Sequence, residues 1–179
     1  MEHNLDQTIA LLTRTPATVD ALLRDLPEAW TMQNEGGATF TPYDVIGHLN
    51  HCERADWMPR AKLILYHGET RAFEPLDRRA QDRESAGKSL AQLLDEFAEL
   101  RAANLRELRA LNLTPQQLEL RGTHPAFGPV TLAQLLAAWA VHDLTHIHQL
   151  SRILAHQYRD AVGPWTLYLG VLQCAGHSA

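Results

Sequence analysis

The chain has 179 residues, 45% of them hydrophobic and 21% charged, with a formal net charge of −5. That length and balance suit one folded domain, residues 1–179, whose core needs no disulfide staples, and they exclude a disordered chain. The acidic balance, spread along the chain, argues against a nucleic-acid partner and against a charged interaction tail.

In chain order, Met1-Glu2-His3-Asn4 lacks the basic-then-apolar pattern of a secretory signal. The first helical pattern runs from about Leu5 to Leu26, with Leu5, Ile9, Leu12, Val19, Leu22 and Leu26 on one face. Pro16 should kink this helix or divide it, with Thr15 as a second cap. A second helix is expected from Thr41 to about His67, because Thr41 can cap, Pro42 suits the first turn and Asp44 favours the positive end of the dipole. Pro59 should bend it after Met58. Ser89 and Gln92 form a capping-box pattern that opens a third helix, with an apolar stripe of Leu90, Leu93, Leu94, Phe97, Leu100, Leu108 and Leu111. Thr131 and Gln134 repeat the pattern and open a fourth, reaching about Gln157. The longest apolar stretch, Val130 to Val141, is too short to span a bilayer, so no membrane association is expected. Gly163-Pro164 precedes a short terminal helix over Trp165 to Leu172. Two cysteines, Cys52 and Cys174, are too few for a disulfide scaffold and suit a reducing cytoplasm.

The connections are uneven. Gly68 to Lys88 joins helices two and three; Asn112 to Val130 joins three and four and contains the glycines and prolines of a small hairpin. Such long links suit an all-α bundle with crossover connections.

Histidine is the unusual residue: the chain has ten, and four fall between His142 and His156. Trp139, His142, His146, Gln149 and Ile153 follow the spacing of a buried seam, so His142 and His146 share the inward side of the fourth helix. On the second helix His48 lies on the seam Val45, His48, Cys52, Ala55. Imidazole is costly to bury without partners. Three of them meeting in a core either hydrogen-bond to protein groups or hold a divalent metal ion. Three neutral nitrogen ligands would leave a coordination position open, the pattern of a catalytic site. Glu53 and Gln149 are candidates for the outer shell. The spacing leaves open whether the two helices run parallel or antiparallel, and imidazole does not select among zinc, nickel, copper and iron.

Several stretches carry a family resemblance. Gly47-His48-Leu49 with Glu53, and His142-Asp143-Leu144-Thr145-His146-Ile147-His148-Gln149, resemble the two metal-binding helices of the DinB/YfiT-like superfamily. Asp56 to Arg60, Phe73 to Arg78 and His124 to Leu132 resemble one branch of it, in the right order over nearly the whole chain. The resemblance implies a four-helix bundle with an up-down-down-up course, a three-histidine site for nickel, zinc or a similar ion, and a homodimer. It also implies a reaction class: transfer to low-molecular-weight thiols such as bacillithiol or mycothiol, or metal-dependent isomerisation or hydrolysis.

The remaining residues divide the readings. Cys52, one turn after His48, is either a fourth ligand or a small buried hydrophobe. Trp57, Arg60, Asp77 and Arg78 either form a polar and aromatic mouth over the metal, suited to an anionic substrate, or fix the crossover through surface ion pairs. His124 either reaches the pocket or packs its turn, and His51 and His148 lie off the ligand seams. No glycine-rich phosphate loop, nucleophile elbow or Cys-x-x-Cys pair is present. Three functions therefore compete: a metal-dependent transferase that uses a small thiol and an electrophile; a metal-dependent hydrolase with Glu53 or Asp143 as base; and a non-catalytic bundle that binds a metal or small ligand.

Overall fold

The computed structural model describes residues 3–77 and 79–174. The first helical pattern is divided in two. Helix α1 (Leu5–Leu12) is capped by Asn4, whose side chain accepts from the Gln7 N–H, and α2 (Thr15–Leu23) carries Pro16 in its first turn. A proline has no N–H and clashes with the preceding turn, so it opens a helix more readily than it continues one. Thr15 does not cap α2. Arg14 occupies the cap position without a side-chain bond, and the Thr15 hydroxyl donates to Asp143 instead. One turn, α3 (Glu28–Thr31), follows.

Helix α4 (Pro42–Ala55) opens on a reciprocal capping box between Thr41 and Asp44. The expected bend after Met58 is a break at Asp56, after which α5 (Trp57–His67) begins. A proline ring collides with the carbonyl four residues earlier. For Pro59 that residue is Ala55, the last of α4, so the break falls upstream of the proline. The crossover holds a 3-10 turn at Gly68–Thr70 and a short α6 (Ala80–Glu84). Helix α7 (Leu90–Ala110) starts at the Ser89–Gln92 capping box. After α8 (Pro115–Leu118) the chain makes the expected hairpin, β1 (Arg121–His124) against β2 (Gly128–Thr131), antiparallel with His124 opposite Gly128. Helix α9 (Leu132–His156) then opens at the Thr131–Gln134 capping box. The short C-terminal helix takes 3-10 form in two pieces, Gly163–Tyr168 and Gly170–Leu172, with Leu172 buried.

Side-chain contacts fix the course. Tyr43 donates to the carbonyls of Ser85 and Lys88, Asn50 to that of Leu93, and Lys62 pairs with Glu107. Both sets of numbers rise together, so α4–α5 run parallel to α7. Contacts of α4–α5 with α9 run the other way: His48 meets His142, whereas Glu53, further along α4, accepts from Trp139. Arg24 pairs with Asp95 while Leu12 accepts from Arg101, so α1–α2 oppose α7. The result is an up-down-down-up four-helix bundle. Its two parallel neighbours require the long crossover.

Two apolar clusters fill the bundle. One holds Leu12, Met58, Leu105, Leu136 and Trp139; the other holds Val19, Leu49, Phe97 and Leu150. Thr15 on α2, Arg101 on α7, and Asp143 and His146 on α9 lie between the two clusters, and His48 and Glu53 of α4 join them in a buried polar layer. Among the described residues, no helix is long and apolar enough to cross a membrane.

Candidate metal centre

Helix α4 presents His48 and α9 presents His142 and His146, one turn apart. The His142 Nε2 lies 3.3 Å from the His48 Nε2 and 3.1 Å from the His146 Nε2. One ligand atom from each of the three residues falls within 4.8 Å of the others. His48 and His146 are buried and His142 is half-buried, so the cluster sits at the boundary between the polar layer and a cavity.

The environment keeps His142 and His146 neutral. Desolvation pushes the His142 pKa down to about 2, and the neighbouring His146, His48 and Arg101 add to the effect. Burial also lowers His146. The His146 Nδ1 lies 2.8 Å from the Gln149 Oε1. An amide oxygen only accepts, so Nδ1 carries the proton and Nε2 is left with its lone pair toward the cluster. The His142 Nδ1 is buried with no hydrogen-bond partner among the described residues.

These residues fit a divalent ion. Nitrogen ligands at about 2.0–2.1 Å from a tetrahedral ion have edges of about 3.3–3.4 Å, close to the two Nε2 separations. Neutral imidazoles with nitrogens in such close convergence repel wherever two lone pairs face each other, and a cation removes that repulsion for all three. The all-imidazole donor set suits nickel and zinc alike.

The other sequence candidates divide. Gln149 is placed against His146. The Glu53 carboxylate accepts from Arg101, Asn104 and Trp139. Asp143 is likewise held by Arg101 and Thr15, so neither acid expected as a base faces the cavity. Cys52 is fully buried in the core with its Sγ 3.5 Å from the His48 Nε2, and it lines no cavity over the site. Burial, with Asp56 and Glu53 nearby, pushes its thiol pKa well up, so it stays protonated as a small hydrophobe. Trp57 is buried, edge-on to His142 at 5.0 Å between centroids and stacked on Trp139 at 5.9 Å. Arg60 does line the cavity, but as an engaged cation: its Nη1 lies 2.7 Å from the Asp56 Oδ1 and its Nη2 donates to the Glu74 carbonyl. Arg78 and His177 lie outside the described residues. Asp77 pairs with Arg83 and accepts from the Arg79 N–H, the surface ion-pair role. His51 is buried beside Glu84 at 3.0 Å. His124 does both things weighed for it: its Nδ1 accepts from the Ala126 N–H and its ring borders the cavity.

Sequence reasoning missed Asp56. It is buried, and with His48, His142 and His146 it lines a cavity of ≈ 490 Å³. Burial raises its pKa against the opposing pull of Arg60 and His51. A signal was available, since Asp56 lies eight residues after His48 and hence on nearly the same face of a helix.

A bundle with this course and three histidines meeting between antiparallel α4 and α9 defines a class of helical metal-site proteins. A family model described as the DinB superfamily matches residues 11–150, and the chain belongs to that superfamily. Among solved structures it is similar to YfiT from Bacillus subtilis, described as a probable metal-dependent hydrolase with an unusual four-helix bundle topology. That likeness has a TM-score of 0.72 and 23% identity, over 89% of this chain and 87% of that one. It is also similar to TT2238, described as a four-helix bundle protein, with a TM-score of 0.52 and 23% identity over 80% of this chain and 95% of the other. At those identities the likenesses show the fold. No curated protein matches the chain.

Proposed function

We propose that this chain is a metal-dependent enzyme that joins a low-molecular-weight thiol, of the bacillithiol or mycothiol type, to an electrophilic carbon of a second small molecule. The observation that carries this reading is the convergence of three imidazoles on a cavity of ≈ 490 Å³. His48, His142 and His146 would hold a nickel or zinc ion, with Gln149 fixing the tautomer of His146. A divalent ion on these three imidazoles would favour the thiolate form of a small thiol bound beside it. Asp56, with its pKa raised by burial, accepts the thiol proton, and Arg60 steadies the Asp56 carboxylate. The sulfur–carbon bond forms as the bond from that carbon to its leaving group breaks, and the electron pair departs with the leaving group.

Asp56 also favours a second reading, hydrolysis, in which a water molecule takes the place of the thiol and Asp56 takes its proton. The description of YfiT as a probable metal-dependent hydrolase supports that alternative.

Elemental analysis of the purified protein should find about one ion per chain, lost in His48→Ala, His142→Ala and His146→Ala. The metal-loaded protein is then offered a panel of thiols with monochlorobimane, and separately a panel of small esters and amides. Thiol-dependent conjugation supports the transferase; ester or amide cleavage without thiol supports the hydrolase. Tight metal binding with neither turnover refutes an enzymatic role. Asp56→Asn should lower either rate with the metal retained.

A further inference from the structure

The cavity over the three histidines shares a wall with a second one. This second cavity, ≈ 500 Å³, lies between α5, the β1–β2 hairpin and the first turns of α9, and Arg60, His124 and Phe127 border both spaces. Its remaining walls include Trp57, Phe73 and Ala138. The volume is within the range of small-molecule sites.

Its chemistry differs from that of its neighbour. The metal cavity carries three clustered imidazoles and the Asp56 carboxylate, whereas the second is mainly aromatic and aliphatic, with Gln134 and His124 as its neutral polar side chains and Arg60 as the one fixed charge among its described lining residues. That guanidinium is already committed to Asp56 and the Glu74 carbonyl, and it lies over the Phe73 ring at 5.2 Å from the centroid. It therefore offers a flat cationic face rather than a free anion receptor. His124 and Phe127 stack at 4.4 Å and 13°, and His124 stands edge-on to Phe73. Trp57 links the two spaces: it forms part of the second cavity and meets His142 edge-on.

We infer that the second cavity is a binding subsite for an uncharged aromatic group of the electrophilic substrate, seated beside the metal cavity so that the reacting carbon reaches the thiol past Arg60 and His124, which border both spaces. This rests on the two-substrate reading above. Two adjoining cavities, one bordered by the three histidines and Asp56 and the other by the ring faces of Trp57, Phe73, His124 and Phe127, match the two reactants of such a transfer. Ring-lined walls favour offset stacking and edge contacts, which select aromatic over aliphatic groups of equal area.

Ala138 allows a test that spares the core, because it lies on the exposed side of α9. Ala138→Phe places a ring in the second cavity; Ala138→Ser leaves it open. Binding of 4-fluorobenzyl alcohol to the metal-loaded full chain is followed by fluorine NMR, with metal content and circular dichroism as controls. The parent and Ala138→Ser should bind, and Ala138→Phe should bind at least about tenfold more weakly with its metal intact. The KM for an aromatic electrophile such as 1-chloro-2,4-dinitrobenzene should rise by a similar factor, while the KM for the thiol stays put. Failure of the parent to bind, or equal binding by Ala138→Phe, overturns the subsite. Binding that Ala138→Phe abolishes, in a protein with no thiol-dependent turnover, upholds the subsite and refutes thiol transfer.

Discussion

Arg101 ties three chain segments together at the middle of the bundle, and replacing it with methionine should unpair all of them. The guanidinium is 1% exposed and donates to the Asp143 carboxylate at 2.6 and 2.9 Å, to Glu53 at 2.8 Å and to the Leu12 carbonyl at 2.8 Å. Arg101→Met keeps most of the volume but leaves the Glu53 and Asp143 side chains, 1% and 2% exposed, with no cation. Breaking a buried pair in this way costs about 3–5 kcal/mol. At about 2–4 °C per kcal/mol for a domain of this size, Tm should fall by about 6–20 °C. A triple variant, Arg101→Met with Glu53→Gln and Asp143→Asn, should recover more than half of the loss, because Asn104, Trp139 and Thr15 still have oxygens to donate to. Thermal and urea denaturation followed by circular dichroism measure the Tm and the free-energy loss. A Tm within about 2 °C of the parent would refute the reasoning.

Other predictions follow from the same geometry. Burial holds His142 at about 2, against an ordinary value of 6.5, so below that ordinary value the unfolded chain takes up a proton that the folded chain refuses. Metal-free protein should thus be at full stability above about pH 6.5 and lose stability as the pH falls, and His142→Gln should flatten the profile; a flat parent profile counts against this. An added Cβ at Gly122 would lie 2.7 Å from the Ile64 Cγ1 and 3.0 Å from the Phe73 Cε1. Gly122→Ala should therefore cost about 1–3 kcal/mol in thermal or urea denaturation, and less in an Ile64→Ala background; equal costs in both backgrounds would reject the steric account. Gln149→Leu should weaken metal binding about 10–100-fold against a chromogenic chelator, and Gln149→Glu should restore it, since a carboxylate accepts from the His146 Nδ1 as the amide does. Unchanged affinity in Gln149→Leu would remove the amide from any role at the site.

Helix starts were legible because each is a local device. Thr41, Ser89 and Thr131 bond backbone groups within three residues, so sequence alone specifies them. Breaks were legible only to within a few residues, because a proline acts on a carbonyl upstream: Pro59 marked the disruption and Ala55 is where the helix ends. The three histidines were legible for a similar reason, since position on a seam follows from spacing along one helix. The partners of Glu53 and Asp143 were not. Spacing says which side of a helix is inward, while the group across the interface depends on the register of separate helices.

That register is what Arg101 records. It stands in the stripe Leu94, Phe97, Arg101, Leu105, Leu108, where apolar periodicity alone passes over it. Glu53 lies five residues beyond His48 on α4, and Asp143 directly follows His142 on α9. One guanidinium bonds both acids, so a slide of α4 along α9 that pulled His48 away from His142 would also strip Arg101 of an acceptor. In a buried layer an unpaired charge costs far more than a displaced apolar side chain. The ion network therefore penalises the wrong alignment of the histidine helices more sharply than a leucine-filled layer would. The three charges buried at the centre of the bundle thus fix the alignment that brings the nitrogens of His48, His142 and His146 together.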